Sequence, residues 1–304
     1  MANKLSGRAE TLTEFGELMG RLHAPAEGAN ALTPYEPKPA DVVISPYGKC
    51  GTTWLQQTFH TLRTGGNMDF DDISRVVPWI ETAPSLGLDI NAEQKAEPRG
   101  FKSHLSYDAL PRGARYVVSL RHPKDAFVSM FRFMEGWFIE PGSVTIEEFY
   151  QAWITPGPQA NDYWHHLLSW WRQRDNPDVL LLTYENMIEA PEAHVRLLAD
   201  FCGIALDDGL LALPLERSSL AYMLEHKDKF ADPMLRELSE KRCGFAPGSD
   251  SAKVRKGGVG GHKKELPPEI GAAIDAAWAE HVEPETGFSD YAALDLAVRA
   301  RNSA

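Results

Sequence analysis

Long apolar runs are missing from this chain of 304 residues. None approaches the ~18 residues needed to cross a bilayer, so no membrane span is expected. Cysteine is scarce. Cys50, Cys202 and Cys243 are the only three, an odd number with no C-x-x-C pair. That argues against a disulfide framework or a zinc knuckle and suits a reducing compartment. Basic residues are outnumbered, 31 Lys and Arg against 43 Asp and Glu, for a net charge of −12. So acidic a chain is poorly suited to nucleic acid or an anionic membrane. Any cations that line an anion site must be local exceptions. The opening residues Met1 to Arg8 lack the apolar core of a secretory signal, and a cytoplasmic protein is the expectation. Neither an internal repeat nor a low-complexity linker interrupts the sequence. Residues 1–304 are read as one domain, with an N-terminal helix and connector to residue 40, a core over 41–264, and a closing helix and tail over 265–304.

What is present is organised around Asp41-Val42-Val43-Ile44-Ser45-Pro46-Tyr47-Gly48-Lys49-Cys50-Gly51-Thr52-Thr53-Trp54. Asp41 to Ser45 is a short β-branched run ended by proline, the pattern of a buried strand. Pro46, Gly48 and Gly51 permit a tight turn that brings backbone close to a ligand. Thr52 and Thr53 open a helix that ends near Gly65 and Gly66. Strand, small-residue loop, lysine and helix N-terminus together make an anion cradle, because free N–H groups and the helix dipole favour phosphate. The loop is P-loop-like but fails the pattern G-x-x-x-x-G-K-[ST]. Val43 stands at the first glycine position and Cys50 follows the lysine. An ordinary Mg-dependent triphosphatase is therefore not expected.

Further strands are expected at Gly100–His104, Ala114–Leu120 and Val179–Thr183, with helices at Thr11–Leu22, from Pro123, at Thr145–Trp153, Asn161–Arg174, Pro191–Phe201 and Pro267–His281. Apolar strands alternating with helices predict a central parallel sheet with helices on both faces. Ser249 to Lys264 is rich in Gly and Lys and is expected to be a loop. Ligands of such sheets sit beyond the carboxyl ends of the strands. Lys49, Lys102 with His104, Arg121 and Tyr184 all fall at such ends. Ser129 lies two helical turns past Arg121, about 10 Å along the axis at ~1.5 Å per residue.

Five segments now stand in order. Tyr47-Gly48-Lys49-Cys50-Gly51-Thr52-Thr53-Trp54 resembles the Y-P-K-S-G-T-T-W loop of cytosolic sulfotransferases. Lys102-Ser103-His104-Leu105 resembles their K-T-H-L, and Arg121-x-Pro123-Lys124-Asp125-x-x-x-Ser129 their R-x-P-K-D-x-x-x-S. Tyr184-Glu185-Asn186-Met187 resembles Y-E-D-M, and Arg255-Lys256-Gly257-x-x-Gly260 resembles R-K-G-x-x-G. Each alone is weak; together, from about Pro34 to Lys264, they are specific.

The resemblance implies a P-loop NTPase-like α/β domain that uses 3′-phosphoadenosine 5′-phosphosulfate (PAPS). Lys49, Cys50, Gly51, Thr52 and Thr53 would hold the 5′-phosphate. Arg121, Ser129, Arg255, Lys256 and Gly257 would hold the 3′-phosphate by charge-assisted bonds. Trp54 would stack on adenine, with Tyr184 and Ser218 nearby. His104 would take a proton from a small acceptor's hydroxyl or amine. Lys49, helped by Lys102, would offset charge on the leaving oxygen. No metal is required by this reading, since fixed cations replace Mg²⁺. The acceptor is expected to be largely apolar.

Departures from the family pattern carry expectations of their own. Gly48 replaces proline and should loosen the loop. Cys50 replaces serine; beside Lys49 and a helix start its thiol is expected to be acidic and open to oxidation. Ser218 replaces threonine, Leu220 replaces an aromatic, and Gly261-His262 replaces Asp-Trp. The family's K-x-x-x-T-V-x-x-x-E dimer motif is not present in Lys263 to Asp275, so a dimer through that segment is not expected. The adjacent pair His165-His166 is poorly spaced for a metal and is read as helix surface or acceptor rim. Trp79, Tyr107, Phe133, Trp137 and Phe138 divide between ordinary core and an acceptor pocket, while Trp170 and Trp171 are read as core. A small-molecule kinase would need Ser or Thr after Lys49 and an acidic Mg ligand. A degenerate nucleotide-binding module would have lost Lys49 or His104.

Overall fold

Strand β1 is Val42–Ile44, and all its residues are fully buried. It lies between β2 (Gly100–Lys102) and β3 (Arg115–Leu120), and β4 (Val179–Thr183) pairs with β3. The order is β2-β1-β3-β4, every pairing parallel. The computed structural model describes residues 7–29, 32–154, 161–248, 253 and 257–303. Successive strand side chains point to opposite faces. Val43, Phe101, Tyr116, Val118 and Leu181 therefore pack on one side. Val42, Ile44, Val117, Leu180 and Leu182 pack on the other, against α2 (Thr52–Thr64) and helix Pro191–Cys202. With both faces covered, continuous apolar strands are what the sequence needs.

A buried ion pair ties the start of the sheet. Arg99 donates to both carboxylate oxygens of Asp41, Nε to Oδ1 at 2.9 Å and Nη2 to Oδ2 at 2.6 Å. Tyr35 Oη at 3.0 Å and the Lys38 N–H at 2.9 Å also donate to Asp41 Oδ2. The cluster sits just before β1 and β2 and aligns their first residues.

Two expectations about the chain's ends and loops are corrected. The segment after Pro268–His281 is no tail. It contains helix Tyr291–Asn302, whose Leu294 and Val298 are buried. Its Tyr291 Oη donates to Glu185 Oε2 at 2.6 Å and its Asn302 Nδ2 to the Leu181 carbonyl at 2.9 Å, so it clasps β4. The segment Ser249–Lys264 is not wholly loop, because His262–Glu265 forms a helical turn. The stretch between Cys202 and Ser249 contributes helices Asp208–Arg217 and Pro233–Cys243. Helix α1 (Leu12–Leu22) is capped by Thr11, whose side chain accepts from the Glu14 N–H, and it packs on Pro233–Cys243.

Breaking a buried pair leaves an uncompensated charge. Asp41→Ala is therefore expected to cost ~3–5 kcal/mol, read as a lower urea midpoint at unchanged slope. A loss under about 1 kcal/mol, the size of a surface pair, would show that the cluster does not hold the sheet.

Candidate active site

Between β1 and α2 the chain turns through Lys49 and Gly51, both in left-handed backbone at φ 69° and φ 99°. A Cβ on Gly51 would meet the Tyr184 ring at 3.0 Å and Ser119 Oγ at 3.3 Å, so only glycine fits. The turn is pinned from outside. Ser119 Oγ donates to the Cys50 carbonyl. Arg121 donates from Nη1 to the Lys49 carbonyl at 2.7 Å and from Nη2 to the Gly258 carbonyl at 3.1 Å. Gly51 caps α2 without a side-chain bond, so the first N–H groups of that helix are open to a ligand. The Thr52 hydroxyl is buried with no hydrogen-bond partner. An orphaned hydroxyl at an uncapped helix start, in a turn too tight for a side chain, suits a phosphate.

One cavity of roughly 880 Å³ runs from this turn across the ends of the strands. Lys49, Gly51, Thr52, Thr53, Trp54, Arg121, Ser129, Tyr184, Ser218 and Gly257 line it, as do Lys102 and His104. Trp54 Nε1 donates to Ser218 Oγ at 3.2 Å, and its ring meets Tyr184 edge-on at 5.9 Å. The Arg121 guanidinium lies over the Tyr184 ring at 4.3 Å. Leu220, 41% exposed, also lines the cavity. Arg255 and Lys256 lie outside the described residues. The loop after them is anchored by Asp125, which accepts from the N–H groups of Gly260 at 2.7 Å and His262 at 2.9 Å. His262 adds a side-chain contact to Asp125 at 2.8 Å.

Against the start of this turn sit the groups suited to proton transfer. His104 Nδ1 lies 2.8 Å from the Pro46 carbonyl. A carbonyl only accepts, so Nδ1 carries the proton and Nε2 keeps its lone pair. Burial first, then Lys102, push the imidazole down to about 3, and the ring is neutral at physiological pH. The Lys49 ammonium lies over the Phe133 ring at 4.3 Å and donates to the Lys253 carbonyl at 3.4 Å. The Lys102 ammonium lies 3.6 Å over the Trp79 ring. Burial lowers Lys49 to about 7 and Lys102 to about 8.

Of the aromatic candidates, Trp79, Phe133, Trp137 and Phe138 line the cavity. Tyr107 does not. Its 3-10 turn faces helix Tyr163–Trp171, where the ring packs edge-on against Trp170 at 5.3 Å beneath the Arg112 guanidinium. His166 is neither surface nor rim. It is 1% exposed, with Nε2 donating to the Ser45 carbonyl at 3.1 Å, while His165 pairs with Asp108 at 3.1 Å. Gly48 is packed against a neighbouring side chain. A Cβ there would meet Met130 Cε at 2.4 Å, so its small size makes room for a side chain. Cys50 is not acidic. Only 1% exposed, its thiol is pushed up to about 12 by burial, which outweighs Arg121 and Lys49.

Sequence reasoning missed Met19 and His23 of the N-terminal segment, and Asp232 with Lys253, all of which line the cavity. Asp232-Pro233 carries the mark of a helix start, and Lys253 stood in a loop noted for its lysines. Nothing in one sequence joins the two.

The sequence matches the sulfotransferase domain family over residues 39–284. Human sulfotransferase 1C2 is 27% identical over 281 residues, which cover 88% of this chain and 92% of that protein. Cytosolic sulfotransferase 13 of Arabidopsis thaliana is 28% identical over 268 residues, covering 81% and 78%. Among solved structures, retinol dehydratase in complex with androsterone and the inactive cofactor PAP superposes with a TM-score of 0.69 at 16% identity, covering 90% of this chain and 95% of that one. A mouse sulfotransferase complexed with PAP gives 0.63 at 20% identity, covering 94% of each.

The buried Cys50 thiol has a direct consequence. Peroxide at neutral pH is expected to leave activity unchanged, and peptide mass spectrometry of native protein should find alkylation at half-buried Cys243 ahead of Cys50. Activity loss that tracks Cys50 oxidation would contradict this.

Proposed function

We propose, from the premise that this chain belongs to the sulfotransferase family and transfers a sulfuryl group from PAPS to a small acceptor, that His104 is its general base and Lys49 its leaving-group cation. The observation that carries the reading is the His104 tautomer. Its Nδ1 proton is committed to Pro46, and its Nε2 lone pair stands in the same cavity as Lys49, Lys102 and the open start of α2. When bound, PAPS supplies the sulfuryl group and a phosphate leaving group. The α2 N-terminus, with the Thr52 and Thr53 hydroxyls, holds the 5′-phosphate; Arg121 and Ser129, from β3 and the helix after it, hold the 3′-phosphate. Trp54 and Tyr184 flank the base, and Ser218 orients the Trp54 indole. His104 Nε2 takes the acceptor's proton as the acceptor oxygen or nitrogen attacks. Lys49, seconded by Lys102, offsets the charge left on the phosphate oxygen. Negative charge brought to Lys102 also relieves its repulsion on His104 and raises the basicity of that imidazole.

The acceptor end is walled by Met19, Trp79, Phe133, Met134, Trp137 and Leu235, so the acceptor is an apolar molecule with one hydroxyl or amine. Among the described residues no helix is long and apolar enough to cross a membrane. We place the protein in the cytoplasm, a reading supported by free Cys50, Cys202 and Cys243. We also infer that residues 263–275 do not form a dimer contact.

Two measurements test the assignment. Adenosine 3′,5′-bisphosphate (PAP) is expected to bind more tightly than ATP or AMP by calorimetry; equal affinities would sink the donor site. His104→Ala should keep PAP affinity within a few-fold yet lose transfer by about 10²–10⁴. Unchanged turnover would remove His104 from its role.

A further inference from the structure

Asp232 breaks two local habits. It stands at the N-cap of helix Pro233–Cys243 in left-handed backbone, φ 51° and ψ 57°, a conformation uncommon for a residue other than glycine and often found at functional sites. An aspartate at this position ordinarily caps its helix, yet its side chain makes no capping bond. The Met234 N–H donates instead to Asp72 Oδ2 at 3.0 Å. The Asp232 carboxylate is 3% exposed and lines the cavity. Its Oδ1 meets Lys253 Nζ and accepts from Ser74 Oγ at 3.4 Å.

The surroundings say what a carboxylate does there. Lys49, Lys102, Lys253 and His104 line the same cavity. The ammonium contacts of Lys49 and Lys102 described above are aromatic faces and a carbonyl, not a carboxylate. The other cavity carboxylates are engaged elsewhere, Asp125 with Gly260 and His262 and Glu265 with Arg132 at 2.8 Å.

We propose that Asp232 is a positioning residue for sulfuryl transfer, the counter-charge that keeps Lys49 and Lys102 as ammonium groups and anchors Lys253 beside them. The inference rests on the donor reading above. Every charged group facing the cluster enters the balance. Burial, Lys253, Arg121 and Lys102 push Lys49 toward neutrality while Asp232 opposes them. Burial and Lys253 do the same to Lys102, opposed by Asp232, Glu81 and Asp72. Burial and Asp232 raise the Asp72 carboxyl, and Asp232 is the largest opposing charge on both lysines.

The sign follows. A lysine whose pKa is depressed loses its charge as pH rises through that value, and hold on a bisphosphate weakens there. PAP affinity measured by calorimetry from about pH 6 to 9 reads this alkaline limb without any turnover. Asp232→Asn removes the opposing anion and is expected to move the limb about one pH unit lower. Lys253→Met removes a repelling cation, keeps the backbone carbonyl, and is expected to move the limb higher. Opposite shifts support the proposal, since a merely structural role would move neither. Unmoved limbs, or shifts in the same direction, overturn it. Should Asp232→Asn fail to fold, Lys253→Met decides alone, an upward shift supporting and any other result overturning. A wild type that fails to bind PAP at about pH 6 overturns the donor reading and this one with it.

Discussion

Two carbonyl oxygens on the turn between β1 and α2 are gripped from outside, that of Lys49 by Arg121 and that of Cys50 by Ser119. A peptide is planar and trans, so holding a carbonyl on one side turns the following N–H to the other. The grip fixes the turn in the left-handed geometry of Lys49 and Gly51 and leaves the α2 start uncapped. Ser119 lies at the end of β3 and Arg121 directly follows it, and β3 is the strand that pairs directly with β1 on this side. Sheet register and anion cradle are therefore one constraint. A slip of one residue would send Ser119 to the opposite face. The Asp41–Arg99 cluster serves the other pairing of β1, at the start of β1 and β2.

The second organising effect is electrostatic. An acidic chain gathers its cations locally, at a place where water is displaced by aromatic rings. Trp79 and Phe133 lie under the lysine ammoniums. They attract a cation weakly and exclude solvent strongly, so dehydration outweighs attraction and depresses Lys49 and Lys102. The same dehydration makes each charge more effective on a leaving oxygen. A lysine poised near neutrality is responsive to an anion and vulnerable to alkali, and one buried carboxylate sets the balance between the two.

Most of the architecture was legible in the sequence because its signals are local. Val42–Ile44, Arg115–Leu120 and Val179–Thr183 are continuous β-branched or leucine runs, and each became a strand within a residue or two of expectation. The helix Tyr291–Asn302 was missed although Tyr291, Leu294 and Val298 follow helical spacing. Charged Asp295, Arg299 and Arg301 dilute that face, and it is defined by what β4 offers it. Asp208–Arg217 carries an internal proline, Pro214, that spoke against a helix. The candidate residues at strand ends share one cavity because topology sends them to one place. Tyr107 and His166 were misplaced because an aromatic or histidine beside a strand end can face either way, and only packing decides. Cys50 was misjudged for a related reason. Neighbouring cations were visible in the sequence and depth of burial was not, and for a thiol burial won.

Gly48 brings the turn and the cavity wall into contact. Read alone, glycine in place of proline implies a looser turn. In the fold, the volume a proline ring would fill is taken by the end of Met130, from the helix that also carries Ser129, Phe133 and Met134. The residue next to Lys49 therefore abuts the wall of the acceptor end. Met19, Met130 and Met134 share that lining, and thioether side chains adapt to irregular shapes at little cost. Where a proline would occupy that volume itself, this chain fills it with the end of Met130, so the side chain beside the residue next to Lys49 is one that also lines the acceptor end.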